Sequence, residues 1–378
     1  MASSLFEYTA LSSRETSYSA AFAWLLGRHS PVPLTQRAAV VAALLGSGKG
    51  LRPADVTSIA VETEVPIGQE AGAARRQRLD LRIRLQQKRM TLPIEILVEN
   101  KLKSCEQPGQ LTGYDACLNA TAAECSARYK LLLTLTGIEP QSGDGWIGVS
   151  YSTLLRAIRT HVQVEDHSVL ELEEALASLV RVVELSSSRR PSPLVLFAFG
   201  DAVGEVRPEM RPLMDYVDEQ GLKSAVQRTW LETLVSNLQI PKQCAVTFAE
   251  THGQALFNIV TSIREGQENV DAGFQLQRRS LKLFCQPSPY GETISKEKGR
   301  KVAGALERLQ RNLNMVGHMT SDRGKGFRSV TVAQLPKGRS VEGWRAAVQG
   351  PLNALGQFLD GPSDSRPSES APRSRQMK

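Results

Sequence analysis

The sequence contains no Cys-x-x-Cys pair, and none of Cys105, Cys117, Cys125, Cys244 and Cys285 stands with a histidine at zinc-ligand spacing. An odd set of scattered thiols argues against a disulfide framework and fits a reducing compartment. No apolar run reaches the roughly 18 residues that would span a bilayer. The opening MASSLFEYTALSSRE lacks a basic stretch followed by an apolar one, so a cytoplasmic protein with no membrane partner is expected. GSGKG at 46–50 fails as a phosphate loop, because Ala43 stands where the first glycine is needed and Gly50 where Ser or Thr should be. No internal repeat is visible.

What is present is a globular composition over 378 residues, enough for two domains. The formal charge of +7 favours polyanionic partners. Residues 194–271 hold 6 Lys plus Arg against 11 Asp plus Glu, a net of −5, whereas 272–345 hold 15 against 5, a net of +10. That asymmetry fits a surface turned toward a polyanion, or a solvated basic face.

Periodicity predicts helices over 14–26 and 35–45, then a change of period. SIAVETEVPI and RLDLRIRL alternate, and IEILVENKL is a near-continuous apolar run, so three strands follow, the last one central. Gln107, Gln110 and Tyr114 share one side of a helix, and YKLLLTLTG is a further strand, parallel to the one before the helix. A helix over about 168–186 has Ser168 and Glu171 at capping-box spacing. The polar, proline-bearing SSSRRPSP marks a domain boundary at 186–193. Beyond it an α+β domain is expected over 194–360, with a helix near 210–238, strands around 245–263, 273–286 and 327–335, and helices carrying Leu306 and Trp344. The tail 361–378 is too polar to order itself.

The chemistry concentrates where the central strand ends in Glu99, Asn100 and Lys101. Glu99 and Lys101 are two apart and share a face. A hairpin through QQKRMT brings Asp80, near the start of the preceding strand, beside the end of this one. Two carboxylates and one ammonium then converge. Carboxylates so placed repel unless a proton or cation sits between them, and hard oxygen ligands suit Mg²⁺, with Mn²⁺ as a substitute. Such a set can hydrolyse a phosphodiester.

These elements resemble the PD-(D/E)XK nuclease superfamily, and in particular a prokaryotic branch reading E-x-x-x-S-x-x-L-A-W-L-L, R-x-D, E-N-K and Q-L-x-x-Y. Here they are Glu15 with Ser19 and AFAWLL, Arg78 with Asp80, Glu99-Asn100-Lys101, and Gln110-Leu111 with Tyr114, over about residues 10–185. The resemblance implies an α/β, restriction-endonuclease-like core over 1–185 with a central mixed sheet flanked by helices. It implies that Asp80 and Glu99 hold the metal, Lys101 assists the water, Gln110 orients water or phosphate, and Glu15 reaches the site from the first helix. It also suggests a DNA endonuclease acting in defence against phage or foreign DNA. Two departures stand: no proline precedes Asp80, and RHSPVPLTQ lacks an expected His-Gly-Gln-Gly, which removes support for a role of His29.

RNA fits the same residues as substrate, and a homo-oligomer or a regulatory partner protein stays open. The rival reading is a catalytically inactive nuclease-like module that binds or senses nucleic acid. Glu62 and Glu64 are either a solvated edge or a further ligand, Tyr114 either packing or chemistry. Arg75, Arg76 and Lys103 are candidate backbone contacts. In the second domain Arg278, Arg279, Lys282, Lys298, Arg300, Lys301, Arg323, Lys325 and Arg328 form the candidate nucleic-acid-binding set, which would give affinity without sequence readout.

Overall fold

The computed structural model describes residues 15–46, 50–67, 77–107, 109–120, 124–265, 268–288, 295–317, 319–321, 326–338 and 340–361, with the side chains of Glu15, Gln77, Ala120 and 319–321 outside that description. The chain divides into two units: the first runs to Ser186 and takes in Gly204–Thr229, and the second comprises Ser187–Val203 and the chain from Trp230 onward. Punctuation at 186–193 had suggested an unbroken second domain from 194. Residues 204–229 belong instead with the first unit.

Helices α1 (Glu15–Leu26) and α2 (Leu34–Leu45) precede the hairpin strands β1 (Val56–Ile67), β2 (Gln77–Gln87) and β3 (Ile94–Lys101). Helix α3 (Gln110–Ala120), strands β4 (Ala127–Thr134) and β5 (Trp146–Ser150), and helices α4 (Tyr151–His161) and α5 (His167–Ser186) follow. The sheet order is β1-β2-β3-β4-β5. The β1–β2 and β2–β3 pairs are antiparallel, whereas β3–β4 and β4–β5 are parallel. This is the mixed, helix-flanked sheet expected of a restriction-endonuclease-like core.

Alternation in β2 buries Leu79, Leu81, Ile83 and Leu85. Strand β3 has no solvated face, and its residues Ile94–Asn100 are all buried. One apolar cluster joins Leu97 and Leu132 to Leu111, Tyr114 and Leu118 of α3, which fixes that helix over the sheet. The cap of α5 is not Ser168: the Asp166 carboxylate accepts from the Ser168 and Val169 amides at 2.9 and 3.4 Å, and Glu171 pairs with His167 at 3.4 Å. A charged acceptor two residues earlier outcompetes the hydroxyl.

The expected single helix near 210–238 is two, α7 (Arg211–Glu219) and α8 (Lys223–Val235), after a short α6 (Pro193–Ala198). They part at Gly221, whose φ of 63° ends the first helix where a side chain would be strained.

The second unit holds a six-stranded sheet of order β10-β11-β9-β8-β7-β6. Its elements are β6 (Ala245–Thr251), β7 (Gln254–Glu265), β8 (Glu268–Gln277), β9 (Ser280–Pro287), α9 (Lys296–Asn312), β10 (Met319–Ser321), β11 (Arg328–Gln334) and α10 (Val341–Asp360). The alternating segments around 245–263 and 273–286 are strand, each folded into a hairpin. The turns fall at His252-Gly253 and at Arg278-Arg279, with positive φ at His252, Gly253 and Arg278. Helix α9 buries Val302, Ala305, Leu306 and Leu309, and the Trp344 ring of α10 meets Phe199 at 5.4 Å and Trp230 at 6.2 Å. Among the described residues no helix is long and apolar enough to cross a membrane.

Gly148 of β5 lies under the loop that leaves β4. An added Cβ would overlap the Ile138 carbonyl oxygen and stand 2.8 Å from that of Gly137, both backbone atoms that cannot swing away. Gly148→Ala should therefore lower unfolding free energy by about 2–4 kcal/mol in urea denaturation. Gly204→Ala, with nothing within 4 Å, is the control and should leave the midpoint in place.

Candidate active site

Leu81 pairs with Val98 in the last register position of the β2–β3 ladder, which puts Asp80 next to Glu99 just where the strands part. The Asp80 side chain takes over from the ladder there, its Oδ2 accepting the Asn100 backbone N–H at 2.6 Å. Glu99 is 3% exposed. Its Oε1 receives the Lys101 ammonium at 3.0 Å and the Gln110 side-chain amide at 2.7 Å. Its Oε2 is buried, with no hydrogen-bond partner among the described residues.

Burial, then the charge of Glu99, pushes the Asp80 carboxyl up to about 7. Burial also pushes Glu99 up, against the pull of the Lys101 ammonium and of the donors around it. Two neighbouring carboxyls that both resist ionisation, one with an orphaned buried oxygen, form a site that a divalent cation would complete. The donor set is hard oxygen, as Mg²⁺ or Mn²⁺ prefers, and it fits the metal that the chemistry implies. Among the described residues no group of three or more His, Cys, Asp or Glu converges, so two carboxylates are the described protein ligands and other oxygens would fill the remaining positions.

Gln110, the first residue of α3, is aimed from several sides. Its Nε2 donates to Glu99 and to the Tyr114 hydroxyl at 2.9 Å, and its Oε1 accepts from the Gln107 amide at 3.3 Å. The Tyr114 hydroxyl donates in turn to the Arg78 carbonyl at 2.9 Å. Tyr114 therefore packs in the core cluster and also anchors the amide, so the two readings of it are not exclusive.

The structure brings Asp80, Glu99, Lys101 and Gln110 into one bonded group. Glu15 begins α1, but its side chain lies outside the described residues. Glu62 and Glu64 sit on the edge strand opposite arginines of β2, Arg82 at 3.6 Å and Arg78 at 3.8 Å, a solvated ion-pair row. Arg75, Arg76, Arg323 and Lys325 lie outside the described residues.

The remaining basic candidates occupy separate places in the second unit. Arg278 and Arg279 form the β8–β9 turn, where Arg278 donates to Gln254 and Arg279 pairs with Asp201 at 2.6 Å. Lys282 reaches Gln277 at 3.4 Å, and Lys301 pairs with Glu268 at 2.9 Å and with Glu297 at 3.2 Å. Lys298 and Arg300 lie in the first turns of α9, where the helix dipole disfavours cations, and Arg328 begins β11.

Two features escaped the sequence. Asn100, 2% exposed, points to the opposite face, where its amide donates to Ser19 Oγ at 3.1 Å and accepts from the Tyr151 hydroxyl at 2.8 Å. The Ser and Asn of the resemblance thus meet as one buried contact, and only the shared motif spacing hinted at it. Glu95, four residues before Glu99 on the same face, is also 3% exposed, but Arg128, Arg84 and Arg82 surround it at 2.6, 3.3 and 3.5 Å. One glutamate is amply neutralised. The other is not.

Residues 5–174 match a family model described as the PD-(D/E)XK nuclease superfamily. Comparison with curated proteins finds no match.

The sign of the pH effect follows from burial. A carboxyl whose folded value lies above its unfolded one adds stability at acid pH and loses it as pH rises through the folded value, here about 7. Asp80→Asn removes that titration. In metal-free protein the variant should be the more stable at about pH 8, by on the order of 2–4 kcal/mol, with the gap closing near pH 4. Added Mg²⁺ should raise the parent's thermal midpoint and leave the variant's unmoved. Parallel stability curves for the two proteins from acid to alkaline pH would contradict the account.

Proposed function

Since residues 5–174 of this chain belong to the PD-(D/E)XK nuclease superfamily, whose members are usually nucleases, we propose that the protein is a Mg²⁺-dependent DNA endonuclease whose site is Asp80, Glu99, Lys101 and Gln110. The observation that carries the reading is the state of Glu99: buried, raised in pKa, and, among the described residues, bonded through one oxygen only. A structural carboxylate would not be left so, as Glu95 of the same strand illustrates.

In this reading Asp80 and Glu99 hold the divalent cation, with Mn²⁺ able to replace Mg²⁺. When bound, the cation neutralises charge that develops on the phosphate oxygens. Lys101, held 3.0 Å from Glu99, offers its ammonium to a water and orients a lone pair toward phosphorus. Attack forms the new P–O bond as the water gives up a proton to a neighbouring solvent molecule, the bond to the leaving sugar oxygen breaks, and that oxygen takes up a proton from solvent. Gln110 keeps the Glu99 carboxylate in one orientation by its 2.7 Å bond, so the ligand does not swing when the ammonium moves. Buried walls around β3 keep the local dielectric low, which strengthens each of these interactions. The exposed Arg300 and its neighbour Lys298 are the second unit's proposed backbone contacts. A role in defence against phage or foreign DNA goes with the family likeness rather than with any residue of this chain.

A second reading is favoured by one observation: the Lys101 ammonium already gives Glu99 one positive partner, which would let the fold serve as a metal-independent binding or sensing module.

Purified protein incubated with plasmid and Mg²⁺ separates the readings. The parent should nick or linearise DNA and stop on chelation. Lys101→Ala and Glu99→Gln should each lose about 10²–10⁴-fold in rate, and Gln110→Ala about 10–100-fold. Tight DNA binding without cleavage, unaffected by metal, would establish the binding module instead, and variants that cut as fast as the parent would refute the residue roles.

A further inference from the structure

We propose that Arg228, outside the family-matched residues, is a positioning residue for the candidate active site: it sets the loop that joins Lys101 to Gln110. The inference rests on the reading above for its consequences in catalysis, but its geometry stands independently.

Lys101 ends β3 and Gln110 begins α3, and the described residues that lie between them, 102–107, form neither helix nor strand. A segment without regular pairing must find partners for its carbonyls elsewhere. At Ser104 the partner is Arg228 of α8, whose NH1 donates to the carbonyl oxygen at 2.6 Å and lies 3.6 Å from Cys105 Sγ. Arg228 is 4% exposed. Burying a guanidinium costs several kcal/mol unless its bonds are worth keeping. Ser224 and Gln227, which share the Arg228 side of α8 by helical spacing, are buried polar residues too. A helix whose task was merely to cover the core would bring an apolar stripe there.

The same loop is tied at its other end. Glu106, 7% exposed, accepts from the Gln141 amide at 2.7 Å and the Ser142 hydroxyl at 2.5 Å. One residue on, the Gln107 N–H holds the Gln110 amide oxygen, and so decides which end of that amide faces Glu99. The path from Arg228 to Glu99 thus runs through Ser104, Glu106, Gln107 and Gln110, with a named bond at each anchored point. Moving Ser104 would turn the Gln110 amide rather than remove it. Residues 204–229 are for this reason a working part of the nuclease unit, although the family match ends at 174.

The test uses full-length protein. Arg228→Met should reduce plasmid-cleavage kcat about 10²-fold with KM nearly constant, as expected for misplacement at the site. It should also speed amide hydrogen exchange over 102–107 about tenfold or more. Arg228→Lys, which keeps one donor within reach of the Ser104 carbonyl, should recover most of both. Val217→Ala, a cavity in α7 with no bond to the loop, is the stability control. It should lower the thermal midpoint while kcat and loop exchange stay parental. Parental kcat and parental loop exchange in Arg228→Met would overturn the proposal, as would equal losses in Val217→Ala at an equal midpoint. If the parent cleaves no nucleic acid, the nuclease reading falls, and the exchange measurements still decide whether Arg228 holds the loop.

Discussion

Taking Glu99 out of water is the constraint to which the first unit answers. A carboxylate 3% exposed at the end of a strand buried on both faces is tolerable only with charge close by. The fold supplies part of that charge from Lys101 and part of the hydrogen bonding from Gln110, and stops short of complete satisfaction. Asp80 adds a second carboxyl resisting ionisation instead of relieving the first. An arrangement of this kind lowers the stability of the protein alone, a cost met at sites built for function.

The comparison with Glu95 makes the trade visible within one strand. Both glutamates face the same way from β3, and both are buried to the same degree. Three guanidiniums surround Glu95, more than its charge requires. Behind the strand the polar contacts are uncharged: Asn100 is locked by Ser19 and Tyr151, whose ring meets Tyr18 edge-on at 5.9 Å. That lock fixes the backbone between Glu99 and Lys101, so their separation is set by α1 and α4 as much as by the strand itself. The Asn100 amide N–H, bonded to Asp80, makes the same residue the hinge of both faces.

In the second unit part of the positive charge is met locally. Arg279, Lys301 and Arg308 each meet a carboxylate, at 2.6, 2.9 and 2.5 Å, and so stabilise the sheet and its helix before any polyanion arrives. A basic count over a segment therefore overstates the field the segment presents, because counting does not subtract the acids that folding brings in from Asp201, Glu265 and Glu268.

The sequence by itself determined the elements and the cluster. Alternation in β2, the apolar run of β3 and a short hairpin sufficed to put Asp80 beside Glu99, since antiparallel register over a few residues leaves little freedom. Helical spacing likewise placed Gln110 and Tyr114 on one side of α3. Local signals of this range survive because the residues that encode them are the residues that touch. Only the tertiary structure decided what joins positions far apart in the chain: Asn100 with Ser19 across 81 residues, Arg228 with Ser104 across 124, and residues 204–229 with the first unit rather than the second. The Asp166 cap and the helix break at Gly221 were missed for a smaller reason of the same kind, since several short polar residues and glycines compete at each boundary and packing selects among them. Periodicity carries no term for partners more than a few turns away, and those are the contacts that hold Gln110 in place.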